Sequence, residues 1–135
     1  MSVKIQMVFN NLPKLGGELE RLAADVVAKA AHDVEAAVKH SMEGPKHGRV
    51  YGNHQASAPG EAPAIDTGHL HNSVMSRQRV RLEWWVALGA EYAHGLEFGT
   101  RHIAPRSALG PAVEKDKPSF IDAMEQIADR AKGGR

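Results

Sequence analysis

PKLGGELERLAADVVAKAAHDVEAAVKHS, residues 13–41, decides the architecture. Leu15, Leu19, Leu22, Val26, Ala30, Val34 and Val38 recur at spacings of 3 or 4. Glu18, Glu20, Arg21, Asp25, Lys29, Glu35 and Lys39 occupy the other side. This is the period of an amphipathic helix. Pro13 suits its first turn, and Gly16-Gly17 weaken its start. About 25 residues at ~1.5 Å each give a helix roughly 38 Å long. A compact chain of 135 residues has a radius of gyration of roughly 14 Å, so the helix is about as long as the body is wide. It crosses that body or projects from it. Its alanine-rich stripe lets another helix approach closely.

On the N-terminal side the period changes to two. Val3, Ile5, Met7 and Phe9 alternate with Ser2, Lys4, Gln6 and the less polar Val8, which predicts a half-buried strand over 2–9. On the C-terminal side, residues 43–64 read as a loop. Seven of the twenty residues 44–63 are Gly or Pro, and a loop this long is uncommon in a compact domain unless it is functional or disordered. Lys46, His47, Arg49 and His54 give it a basic tendency.

In IDTGHLHNSV, Asp66 or Thr67 is placed to cap a short helical turn through Leu70 and Ser73. SVMSRQRVRLEWWVALGA then reads as two strands turning near Arg81–Glu83. Val74, Val80, Leu82, Trp84, Val86 and Leu88 share one face; Met75, Arg77, Arg79, Arg81, Glu83 and Trp85 share the other. EYAHGLEFGT predicts a short helix or turn ending at Gly99, and RHIAPRSALGPA an extended connection. Phe120, Met124, Ile127 and Ala131 define a C-terminal helix with Pro118 in its first turn, closed by Gly133-Gly134. The pattern is α+β: a long N-terminal helix and a C-terminal helix packed on a small antiparallel sheet. Residues 1–135 form a single domain on this reading.

Composition narrows the function classes. Apolar residues make up 42%, but 20 of them are alanine, and Leu, Ile, Val and Phe number only 28. A small domain with so few large apolar side chains is marginal alone, which raises the expectation of oligomerisation. With 17 basic and 16 acidic residues the net charge is +1, low for a dedicated nucleic-acid or membrane-surface binder. The absence of cysteine removes disulfides, a thiol nucleophile and Cys-based zinc. No apolar run is long enough to cross a membrane, and MSVKIQMVFNN lacks a signal-peptide core, so the chain reads as a soluble intracellular product.

Few residue constellations carry chemistry. Asp66-Thr67-Gly68 matches the triplet with which dimeric aspartic proteases bring two carboxylates together. A long helix before it and His69 after it argue for a turn instead. The eight histidines show no three- or four-ligand spacing for a metal, and no serine sits in a nucleophile elbow. No cofactor is indicated. Arg77, Arg79 and Arg81 are the informative charge cluster. At period two they project from one face about 6.6 Å apart, toward solvent, an acidic partner or phosphates. Trp84 and Trp85 point to opposite faces; the one outside the core, beside arginine, suits an interface anchor.

Three segments taken in order carry a resemblance. Asp66, Thr67, Gly68, Leu70 and Ser73 follow a Pro/Gly stretch; Tyr92, Ala93, Glu97, Phe98, Gly99 and Thr100 follow the two strands; Pro105, Arg106, Leu109, Pro111 and Ala112 close the series. Over residues 57–112 this resembles the minor tail-component, or tail-completion, proteins of lambdoid long-tailed phages, whose phage lambda counterpart is the tail-completion protein Z. His94, Gly95 and Leu96, and Ser107-Ala108, depart from the family pattern. The resemblance implies a structural virion protein of the neck, present in the host cytoplasm during assembly, and not an enzyme. It implies partners in the head-closure ring, the tail terminator and the tail tube. It also implies a self-assembled ring, naturally a hexamer, with packaged DNA in its lumen contacted non-specifically. Another neck ring, a terminator or a head-closure protein, shares these traits. Under the resemblance Phe98 belongs in the core, and Glu97 accepts hydrogen bonds or an inter-subunit arginine, with Arg106 its best partner.

Overall fold

The computed structural model describes residues 2–6 and 12–133. The elements run β1 (Ser2–Gln6), α1 (Leu12–Met42), β2 (Val50–Tyr51), β3 (His54–Gln55), α2 (His69–Asn72), β4 (Val74–Val80), β5 (Glu83–Leu88), α3 (Ala93–Phe98) and α4 (Leu109–Gly133). The fold is α+β, with long α1 and α4 and a small antiparallel sheet. Met7, Val8 and Phe9, expected to end the first strand, lie outside the described residues, as do Gly134 and the side chains of Leu15 and Ala131.

The sheet has the order β1-β5-β4. Ile5 lies opposite Trp84, Val3 opposite Val86, and Val74 opposite Leu88, so period two places these six on one face. α1 covers that face, and α4 packs principally on α1 rather than on the sheet. The arrangement is sheet, then α1, then α4. Having a neighbour on each flank widens the buried arc of α1. Ala23, Val27, Ala30, Ala31, Val34, Val38 and Met42 are buried, while Leu22 and Val26 from the expected stripe pack half-buried at its margin. The largest fully buried side chains are Met42, Leu109 and valines; no aromatic ring is among them.

Three expectations are corrected. First, α4 begins at Leu109, well before Pro118, which lies inside the helix. Pro111 sits in the first turn, where a missing N–H costs nothing, and the other free N–H groups there find an acceptor, described below. Second, the strand pair departs from strict alternation. A bulge between Gln78 and Val80 turns Val80 out to solvent, and Arg81 falls in the turn rather than beside Arg77 and Arg79. Third, the 43–64 loop contains a small hairpin, β2 with β3, turning at Gly52-Asn53. Its ladder extends through Ala56 N–H to Arg49 O at 2.9 Å and Gly48 N–H to Ala56 O at 2.9 Å. Gly48 approaches Ser57 so closely that a Cβ there would lie 2.4 Å from the Ser57 carbonyl oxygen.

Leu109 has no exposed surface and joins α4 to the core. Leu109→Ala is expected to destabilise the fold by about 2–5 kcal/mol, whereas Ile121→Ala, on the open side of α4, changes stability by about 0.5 kcal/mol or less. Urea unfolding of both variants checks the contrast.

Candidate functional site

The three segments that carry the resemblance lie around one groove, and Glu97 joins the second to the third. Ala93 and Glu97, four apart on α3, both face inward and are buried. The Glu97 carboxylate reaches the start of α4. Its Oε2 accepts the N–H groups of Ala108 at 3.0 Å and Leu109 at 3.1 Å, and its Oε1 that of Gly110 at 2.7 Å. These are N–H groups that a helix start leaves free, and the negative charge sits on the positive end of the helix dipole. The Ser107 hydroxyl donates to the Glu97 carbonyl at 2.6 Å, and Arg106 N–H to Leu96 O at 2.6 Å.

Gly99 lets the chain double back between these contacts. Its φ is +80°, and a Cβ would lie 2.9 Å from the Pro105 ring. Thr100 closes the turn: its N–H donates to Ile103 O at 2.8 Å, and its hydroxyl accepts the N–H groups of His102 and Ile103. The Pro/Gly segment is tied to the same place. Arg106 Nε donates to Ser57 O at 3.2 Å, and Gly60 N–H to Pro105 O at 3.1 Å. Arg106 therefore serves the loop, with a further bond to Ala104 O, and within one chain Glu97 accepts backbone hydrogen bonds rather than pairing with Arg106.

Between these segments runs an open groove of about 660 Å³. Tyr51, Ile65, Tyr92 and Ile103 line it, each at least 40% exposed. Phe98, expected in the core, is instead 59% exposed. It follows Glu97 by one residue, so the helix turns it about 100° away from the buried side. Its ring packs on His94, with centroids 4.9 Å apart. Asp66 is exposed at the groove wall, and Gly68 is the N-cap of α2, while the Thr67 hydroxyl accepts the His69 N–H at 3.3 Å. Leu70 is buried, and the Ser73 hydroxyl donates to Leu70 O at 2.7 Å. Among the described residues no three His, Asp or Glu side chains gather as metal ligands.

A second polar cluster, invisible to sequence spacing, clasps α1 to β4. The Ser76 hydroxyl donates to Glu35 at 2.5 Å and lies 3.2 Å from His32 Nδ1. The Ser76 hydroxyl holds the Glu35 carboxyl below its usual range, with Lys39 adding to the effect against a burial penalty. The serine donates to the carboxylate and so ties β4 to α1. The outer face of the sheet holds Arg77, Arg79 and half-buried Trp85. Arg79 lies over the Trp85 ring at 5.7 Å. Arg81 reaches the other way, to Glu20 of α1 at 3.6 Å.

Glu61 latches the hairpin loop. It accepts the N–H groups of Ala58 and His47, and its other oxygen meets His47 Nδ1. The Ala58 N–H, then the His47 side chain and N–H, hold its carboxyl down at about 2, against 4.5 ordinarily. Compared with known protein families, characterised proteins and solved structures, the chain matches none.

Glu97→Ala leaves buried N–H groups without acceptors and is expected to cost about 3 kcal/mol; Glu97→Gln, which keeps one acceptor oxygen, costs less. Thermal unfolding read with the near-UV signal separates them. Because the Glu61 carboxyl is depressed in the folded chain, the latch's stabilisation is fully present above pH 4.5 and is lost as pH falls toward 2. The protection of the Ala58 amide, measured relative to its intrinsic exchange rate at each pH, is expected to fall over that window, and that fall to be absent in Glu61→Gln.

Proposed function

We propose that this chain is a structural component of the neck of a long-tailed phage, completing the tail and joining it to the DNA-filled head as one subunit of a ring. One observation carries the reading. Two of the three segments whose order resembles tail-completion proteins are joined by Glu97, Arg106 ties them to the Pro/Gly stretch at Ser57, and the polar groups of these contacts are spent on backbone. The groove beside them exposes Tyr51, Ile65, Tyr92 and Ile103 together with Asp66, His69 and His102, and Phe98 is exposed nearby on α3. Exposed aromatic and aliphatic anchors on a rigid base suit a docking surface.

In this role the groove end meets a neighbouring neck or tail protein: the head-closure ring, the terminator or the tube. Self-association as a hexamer matches the six-fold tail. Heterologous contacts close such a ring, and DNA passes through its lumen without base-specific recognition. No step of this role needs an enzyme activity or a cofactor.

Electron microscopy of a lysate from the parent phage carrying a nonsense mutation in this gene tests the proposal. Full heads beside separate tails are the expected result. Normal infectious particles would overturn it and return attention to Asp66, which a dimeric aspartic protease would require.

A further inference from the structure

Among the described residues, helix packs on one face of the sheet only. Its open face carries a short row of matched residues: Lys4 and Arg77 both lie opposite Trp85 in the register, one on each side of it. Arg79 leans over the same ring, and Met75 is half exposed beside it. Glu83 is the one carboxylate among these residues; it is buried, accepts the Trp85 indole N–H at 2.9 Å and lies 3.6 Å from Arg79. Lys4 and Arg77 have no ion-pair partner among the described residues. Tryptophan, methionine and arginine on an open face are the residue types enriched in interfaces.

The outermost layer at the other side of the molecule, α4, carries a stripe of the opposite charge. At 100° per residue, Glu114, Asp122, Glu125 and Asp129 of α4 fall within an arc of about 80°, opposite the inward line of Leu109, Phe120 and Ile127. All four are exposed, and none has an ion pair among the described residues. Pro118 lies within the arc, Ile121 at its edge is 43% exposed, and Lys115 and Lys117 flank it. The stripe is about 22 Å long at ~1.5 Å per residue, and the Lys4–Trp85–Arg77 row crosses three strands over about 10 Å, so the row seats on part of the stripe and the two match in sign.

We propose that copies of this chain associate head to tail, the Lys4–Trp85–Arg77 face of one copy seated on the Glu114–Asp129 stripe of the next. The contact is heterologous, so it repeats around a ring or along a filament instead of stopping at a dimer. In supplying the contact that a neck ring needs, it rests on the function proposed above. A duplex DNA or a different acidic protein would use the basic face and leave the α4 stripe without a role; a second copy uses both.

Sedimentation velocity of the full chain is the test. At an ionic strength of about 20 mM the screening length is roughly 20 Å, and near 0.5 M it is about 4 Å. Species larger than a dimer are expected to grow with concentration at low salt and to dissociate at high salt. Lys4→Glu with Arg77→Glu, and separately Asp122→Lys with Glu125→Lys, are each expected to weaken association about tenfold or more. An equimolar mixture of the two double variants is expected to reassemble, because each then meets an opposite charge; this also shows that both are folded. A wild-type chain that stays monomeric at low salt would overturn the proposal. So would association indifferent to both double variants, a mixture that stays apart, or Arg77-dependent binding of duplex DNA in place of self-association. The lysate phenotype is read independently, so the pairing and the neck role fail separately.

Discussion

The Glu97 carboxylate is the contact on which the end of the fold depends. It stands between a short helix that cannot be stable alone and a long one that starts without a side-chain cap from its own preceding residues. By accepting the N–H groups of Ala108, Leu109 and Gly110 it fixes where α4 begins and at what angle it leaves α3. The turn from Gly99 to Ser107 is then constrained at both ends. Arg106 and Pro105 pass that constraint to Ser57 and Gly60, nearly fifty residues earlier. A side chain at one position thereby positions groove walls drawn from two distant parts of the chain.

Where a residue's neighbours along the chain decide its structure, the sequence was legible. The long apolar period located α1, period two located β4 and β5, and Gly99 marked the end of α3. The misreadings have long-range causes. Pro118 is a good first-turn residue, so local preference placed the start of α4 there; the acceptor that starts it earlier lies eleven to thirteen residues back, on another helix. Nothing in RQRVRLE announces the bulge that turns Val80 outward and sends Arg81 toward Glu20. Two-residue strands are too short for any period, which hid the hairpin inside the 43–64 segment. Phe98 was expected inside because it is large and apolar, yet burial on α3 was already taken by Ala93 and Glu97.

The same local economy shapes the core. Alanine at 23, 30, 31 and 112 is buried in the core, but each contributes little apolar area. The larger side chains that would deepen a core sit elsewhere: Tyr92, Phe98 and Ile103 around the groove, Met75 and Val80 on the sheet. Apolar surface of this kind is costly to leave in water unless something covers it. A chain selected for solitary stability would reverse that distribution. Among the described residues the fully buried core is thin, with Trp84 and Phe120 packed at its margin and several large apolar side chains exposed.

The layer order explains why such a chain would associate in one direction. α1 is satisfied on both flanks, by the sheet and by α4, so each outer layer is left with one open side. One of those sides is a cationic sheet with a tryptophan at its centre; the other is a helix face of carboxylates. Two surfaces of like charge would hold copies apart, and two self-complementary ones would close a dimer. Unlike surfaces on opposite layers do neither. They orient each copy relative to the next while leaving the groove end, set by Glu97, free for a different partner.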